Sequence, residues 1–219
     1  MHCKLRFIYG VMNSSKTALL LMNAHAFEER NIPFLCIKPS IDNRDGENII
    51  KSRIGLSREC VSFDSTHNLF KFIEEYCMNV QLAGFDKPKW ILVDECQFLS
   101  KEQVDQLGDI VDKLDINVMC YGLRSDFMTN SFEGSKRLME IADDIEELKA
   151  SCGCGRKAIF NARIDEFGNV VSDGEQIEIG GNERYISLCR KCYNEITRKD
   201  TKDSNDDNDD DIDILLNGI

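Results

Sequence analysis

Proline and histidine are scarce in this chain: three prolines in 219 residues, and only His2, His25 and His67. None of the histidines stands beside a nucleophile signal, so the sequence offers no basis for a Ser-His-Asp type of hydrolase. No segment approaches the ~18 consecutive apolar residues of a membrane span. The amino-terminal MHCKLRFIYG also lacks the apolar stretch and flanks of a secretory signal. The expectation is a cytoplasmic protein with no membrane partner. Basic residues are outnumbered, with 27 Lys and Arg against 39 Asp and Glu and a net charge of -12. A broad cationic surface for nucleic acid is therefore not expected, and an anionic ligand should be met in a small, focused site.

What remains is ordinary globular material, 42% hydrophobic and 30% charged, long enough for one domain of usual size and a small appendage. Residues 200–219 carry eight aspartates against Lys202 and so hold -7 of the net charge. Such a run repels itself, and the sequence predicts an acidic disordered tail over 197–219. The apolar end of that tail, Ile212, Ile214, Leu215, Leu216 and Ile219, leaves open a short docking segment. Six of the ten cysteines, Cys3, Cys36, Cys60, Cys77, Cys96 and Cys120, are scattered among apolar residues and read as buried thiols in a reducing compartment.

Apolar runs alternate with helical patterns along the first 150 residues. Strands are predicted at Leu5 to Tyr9, Pro33 to Lys38, Cys60 to Phe63, Lys89 to Val93 and Ile116 to Tyr121. Helices are predicted over Lys16 to Arg30, around Leu69 to Tyr76, and over Lys101 to Leu114. Continuous apolar strands separated by helices imply a mostly parallel sheet covered on both faces, with polar groups converging at the strands' carboxyl ends. From Ser151 glycines and paired cysteines increase, and short strands are expected at Ala158 to Ile164 and Gln176 to Ile179. The division expected is a larger domain over 1–150, a small second domain over 151–196, and the tail.

Gly10 to Thr17 reads GVMNSSKT between a strand and a helix. It keeps Gly10, Lys16 and Thr17 of the GxxxxGK[ST] phosphate loop and replaces the second glycine by Ser15. Backbone N–H groups at a helix start can hold phosphate oxygens, Lys16 can reach the terminal phosphates, and Thr17 can ligate magnesium. The alternative is an ordinary polar first turn of a helix. Asp94-Glu95 follows an interior strand, where a carboxylate can hold a magnesium-bound water. Neighbouring side chains on an extended chain point apart, so the two acids are expected to divide the work. Cys152, Cys154, Cys189 and Cys192 offer four thiolates, suited to a closed structural Zn(II) site. Free-thiol turns or an iron-sulfur cluster are the alternatives. Gly180-Gly181 is either a hairpin bend or, with Tyr185, part of a loop that closes over a planar ligand.

Together GVMNSSKTALL, IDNRDG, SRIGLS, LVDECQFL, LDINVMCYGLRSDF, LKASCGCGRKA and EQIEIGGNERYISLCRKCY resemble, in order, the zinc-containing cellular and bacterial thymidine kinase family. The resemblance implies an α/β, P-loop NTPase-like kinase that transfers the γ-phosphoryl group of ATP to the 5'-hydroxyl of thymidine. It implies ATP, Mg2+ and structural Zn2+ as cofactors and a homotetramer as the assembly. Gly10, Val11, Met12, Asn13, Ser14, Ser15, Lys16, Thr17, Asp94, Glu95, Cys96 and Gln97 would bind the nucleotide. Glu95 would take the hydroxyl proton, with Lys16 and Arg44 at the transferring phosphoryl group and Asp42 nearby. Met12, Phe98, Leu123, Phe127 and Phe132 would line the base pocket, and Ile177, Glu178, Ile179, Gly180, Gly181 and Tyr185 would close over thymine. Ser15 departs from the family's usual glycine, and Cys192 stands where the fourth metal ligand is often histidine. A broader deoxynucleoside kinase, or a zinc-stapled nucleic-acid-binding module with a vestigial loop, is the alternative reading.

Overall fold

A computed structural model describes residues 2–171, 173, 174, 176 and 185–199. Of the disordered tail predicted over 197–219, residues 197–199 are described and instead end a helix (Arg190–Lys199), continuing its backbone hydrogen bonding; residues 200–219 and the segment 177–181 lie outside the described residues. The described residues fall into two compact units, those of 2–9, 15–124 and 131–148 in the larger and those of 10–14, 125–130 and 149–199 in the smaller.

The larger unit is built on six parallel strands: β1 (Leu5–Tyr9), β2 (Phe34–Pro39), β5 (Val61–Phe63), β6 (Trp90–Val93), β7 (Asn117–Gly122) and β8 (Asp144–Glu147). Their order across the sheet is β5-β2-β6-β7-β1-β8. Strand side chains alternate between faces, and here both faces are apolar. Phe7, Ile37, Ile91, Val93 and Val118 pack on one side against Leu69 and Ile73 of α2 (Leu69–Leu82), Val104, Leu107 and Ile110 of α3 (Lys101–Leu114), and Leu138 of α4 (Glu133–Ile141). Ile8, Cys36, Leu92, Met119 and Tyr121 pack on the other against Leu20, Leu21, Ala24 and Phe27 of α1 (Lys16–Glu29). The helix starts are written locally. Ser100 and Gln103 form a reciprocal capping box at α3, and the Asn68 side chain accepts from Lys71 N–H at α2. A short hairpin, β3 (Ile49–Lys51) and β4 (Ser57–Glu59), turns at Gly55 with φ 88°.

Because all six strands run the same way, the segments following β1, β2 and β6 leave one edge of the sheet. Those segments contain Lys16, Asp42 with Arg44, and Asp94 with Glu95. β7 ends at Gly122, where a Cβ would come within 2.6 Å of Cys96 Sγ and Gln97 Oε1. Glycine there lets the 3₁₀ turn Cys96–Phe98 seat against the strand end.

The smaller unit is antiparallel. β11 (Phe160–Ile164) lies between β12 (Val170–Val171) and β13 (Tyr185–Leu188). A hairpin of β9 (Ala150–Ser151) and β10 (Lys157–Ala158) precedes it, and α5 (Arg190–Lys199) follows it. Its core joins Val11, Ala158, Ala162 and Leu188 to three of the paired cysteines, Cys152, Cys189 and Cys192. Of the strand predicted at Gln176 to Ile179, only Gln176 is among the described residues, and it is not in a strand.

Candidate active site

In the larger unit, an ion-paired cluster gathers at the carboxyl edge of the sheet. Arg44 bridges two acids: its Nε donates to Asp42 Oδ1 at 2.5 Å and its Nη2 to Glu95 Oε1 at 2.6 Å. Burial opposes the Arg44 charge, but Glu95 and Asp42 outweigh it and raise its pKa above the ordinary value. Asp94 is 5% exposed, and Thr17 Oγ1 donates to its Oδ1 at 3.4 Å. Burial, reinforced by the neighbouring Glu95 charge, pushes the Asp94 carboxyl up to about 7. Lys16 opens α1 and is half-buried; burial lowers its pKa, against the pull of Glu95 and Asp94. The group is thus a buried acid, a desolvated amine and an arginine-clamped carboxylate, a composition suited to holding polyanions and moving a proton.

Asp94 and Glu95 do engage different partners, though not because the chain is extended. Glu95 has φ 48° and ψ 41°, the left-handed conformation. That geometry is uncommon for a side chain with a Cβ and persists where surroundings fix it. Here Arg44 and the Gln97 amide, which donates to Glu95 Oε2, hold the carboxylate. Gln97 Oε1 in turn accepts from Leu123 N–H at 3.0 Å, and Ser135 Oγ donates to Leu123 O.

Ser15 also adopts the left-handed conformation, with φ 63° and ψ 24°, and its side chain makes no capping bond to α1. A residue the sequence reading missed supports the Arg44 loop from behind. Lys38 is 1% exposed, and its Nζ donates to the carbonyls of Gly46 and Ile49 at 2.8 Å each. Those contacts span the far end of the IDNRDG loop, where Gly46 has φ 114°. A lysine inside an otherwise apolar strand, followed by proline, was the available signal.

The apolar residues expected at a base pocket fall in both units. Phe98 and Phe132 of the larger unit meet edge-on with centroids 6.1 Å apart. In the smaller unit Arg163, 6% exposed, lies 3.9 Å over the Phe127 ring and donates through Nε to Tyr185 Oη at 3.3 Å. Tyr193 Oη donates to Phe127 O at 2.6 Å, and Gln176 Nε2 to Asp126 Oδ2 at 2.8 Å. Met12 N–H donates to Asn161 Oδ1 at 2.8 Å. Sequence reading did not single out Arg163, Asn161 or Asp126, because nothing local distinguishes a strand arginine or asparagine from a solvated one. Ile177, Glu178, Ile179, Gly180 and Gly181 lie outside the described residues.

The four paired cysteines converge. The sulfurs of Cys152, Cys154, Cys189 and Cys192 all lie within 4.8 Å of one another, with Cys154 3.5 Å from Cys152 and 3.6 Å from Cys189. A tetrahedral zinc with bonds near ~2.3 Å needs sulfurs about 3.8 Å apart, so the donor set and its spacing fit the metal. The hairpin supplies one pair: Cys152 N–H donates to Arg156 O, Gly155 N–H to Cys152 O, and Gly155 takes φ 82°. The Arg156 backbone, ahead of smaller effects, brings the Cys154 thiol down to about 6, whereas burial raises that of Cys192. Among the described residues no helix is long and apolar enough to cross a membrane.

A family model described as thymidine kinase matches residues 3–193. The chain is 49% identical over 196 residues to the thymidine kinase of Mannheimia succiniciproducens, covering 90% of this chain and 97% of that protein. It is 47% identical over 192 residues to the thymidine kinase of Haemophilus influenzae strain 86-028NP, covering 88% and 96%. Against the thymidine kinase of Rhodopirellula baltica the identity is 44% over 192 residues, with 88% of each chain covered.

Proposed function

The chain belongs to the thymidine kinase family, and from that premise we propose how its residues carry out the ATP-dependent phosphorylation of thymidine. The observation that carries the reading is the cluster of Lys16, Thr17, Arg44, Asp94 and Glu95 around the ends of β1, β2 and β6. In this reading the sheet is of the P-loop NTPase type, residues 10–17 bind the triphosphate, and Cys96 and Gln97 complete that side. Residues 1–150 form the kinase domain and 151–196 the zinc domain.

Lys16 loses hydration in its position, and a triphosphate would add its negative charge to that of Glu95 and Asp94 in keeping the ammonium charged. Arg44 exchanges its Glu95 contact for oxygens of the transferring phosphoryl group. Glu95 is then free to accept the 5'-hydroxyl proton as that oxygen attacks phosphorus and ADP departs. Asp94 and Thr17 hold the magnesium side, and the ion, when bound with ATP, neutralises charge on the phosphate oxygens. Met12, Phe98, Leu123, Phe127, Phe132 and Tyr185, with residues 177–181, are the candidates for contact with thymine. Cys152, Cys154, Cys189 and Cys192 hold structural zinc. The same reading includes a cytoplasmic homotetramer.

A nucleoside panel with ATP and magnesium tests this directly. ADP formation should depend on thymidine and yield thymidine monophosphate in equal amount. ADP formation independent of any nucleoside would make the protein an ATPase, and equal turnover of purine deoxynucleosides would make it a broad deoxynucleoside kinase.

A further inference from the structure

The four cysteines and the segment Gly10–Ser14 belong to one compact unit. Within it, Met12 is gripped at both of its main-chain polar groups. Its N–H donates to Asn161 Oδ1 at 2.8 Å, and its carbonyl accepts from Ser187 Oγ at 2.8 Å. Asn161 and Ser187 are direct cross-strand partners of β11 and β13, so one rung of the small sheet clasps one residue of the loop. Val11 packs into the core that contains Cys152, Cys189 and Cys192, and Ser187 stands two residues before Cys189.

The loop needs such a clasp. Asn13 and Ser15 both adopt left-handed backbone, with φ 64° and 63°. The left-handed region is disfavoured for a residue with a Cβ, Ser15 more than Asn13, and such conformations persist when neighbouring structure dictates them. Asn161 is 4% exposed, so its bond to Met12 is shielded from competing water.

We infer that Asn161 and Ser187 are positioning residues for the phosphate loop, and that metal held by the four cysteines fixes β13 and thereby keeps that loop in its nucleotide-binding shape. The inference rests on the reading of residues 10–17 as the ATP loop. It makes the metal centre a determinant of ATP affinity.

The test uses the full chain with Asn161→Leu, Ser187→Ala and the hydroxyl-retaining Ser187→Thr. Three quantities are read: zinc per chain, amide hydrogen exchange of residues 10–15 without nucleotide, and ATP Kd by calorimetry. With zinc retained, Asn161→Leu and Ser187→Ala should speed exchange in that segment and weaken ATP binding about three- to tenfold, as expected for one lost hydrogen bond. Ser187→Thr should stay within twofold of the parent. Stripping zinc from the parent with a chelator should accelerate the same amides. Unchanged loop exchange and ATP affinity within twofold in Ser187→Ala would overturn the clasp, even if Asn161→Leu proved unstable. Unchanged loop exchange after zinc removal would overturn the role of the metal. A parent protein that binds no ATP would refute the kinase reading instead, while the exchange data would still decide the clasp.

Discussion

Replacing Ser15 by glycine tests the departure at the heart of the proposed phosphate loop. Ser15 holds φ 63° and ψ 24°, its side chain is exposed, and that side chain makes no capping bond. The left-handed backbone costs a Cβ-bearing residue roughly 1–2 kcal/mol, a cost glycine avoids. Glycine in turn loses roughly 0.5–1 kcal/mol through the greater freedom of its unfolded chain. The difference predicts that Ser15→Gly is neutral to more stable by about 1 kcal/mol, a rise of up to about 4 °C in Tm for a chain of this size. The ATP KM should fall or stay level, because the backbone is already in the geometry glycine prefers. Ser15→Ala keeps the Cβ and removes only the hydroxyl, so it should match the parent in both respects. Thermal unfolding and steady-state kinetics on the three proteins decide the matter. A loss of more than about 1 kcal/mol, or a clear rise in ATP KM, in both variants would show that the Ser15 hydroxyl makes a contact that stabilises the loop.

Further outcomes follow from the same cluster. Asp94 has a native pKa pushed up to about 7, above its unfolded value, so the stability it contributes is full below about pH 4 and lost as pH rises through 7. Asp94→Asn should therefore stabilise the metal-free protein by roughly 1–4 kcal/mol at pH 8 and hardly at all below pH 4, with altered magnesium dependence of activity; identical denaturation curves at pH 8 would contradict the burial argument. Glu95→Gln should lower kcat by about 10²-fold or more with ATP binding little changed, and a loss under about tenfold would remove Glu95 as the proton acceptor. Lys38→Met leaves the Gly46 and Ile49 carbonyls without their donor; kcat should fall about tenfold and stability by roughly 1–3 kcal/mol, and unchanged kcat would show that the Arg44 loop needs no such support.

The inner strands are readable because each is a mostly apolar run that the fold buries on both sides. β1 lies at the predicted residues, and β2, β6 and β7 shift by only one residue at their ends. α3 was equally plain, with an amphipathic face and a capping sequence at its start. β8 went unread: DIEE has one apolar residue and becomes a strand only through pairing with β1, far away in sequence. α4 is short, and its apolar stripe is interrupted by Gly134, Ser135 and Lys136. At the site, GVMNSSKT and Asp94-Glu95 announced themselves through residue type and placement. Lys38, Asn161 and Ser187 did not, because their importance lies in which distant backbone groups they reach, and no local spacing encodes that.

The sheet order has a consequence for how the protein is made. β1 leaves the ribosome first, yet its neighbours are β7 and β8. The bond from Lys4 N–H to Asn117 spans 113 residues and that from Leu5 N–H to Asp143 spans 138. Most of the larger unit must emerge before β1 finds even its first partner, β7, leaving a sticky apolar segment unsatisfied through much of synthesis. Nascent chains halted before residue 117 should therefore be digested by protease at β1, and those released beyond residue 148 should protect it. Early protection would mean that β1 acquires another shelter during translation.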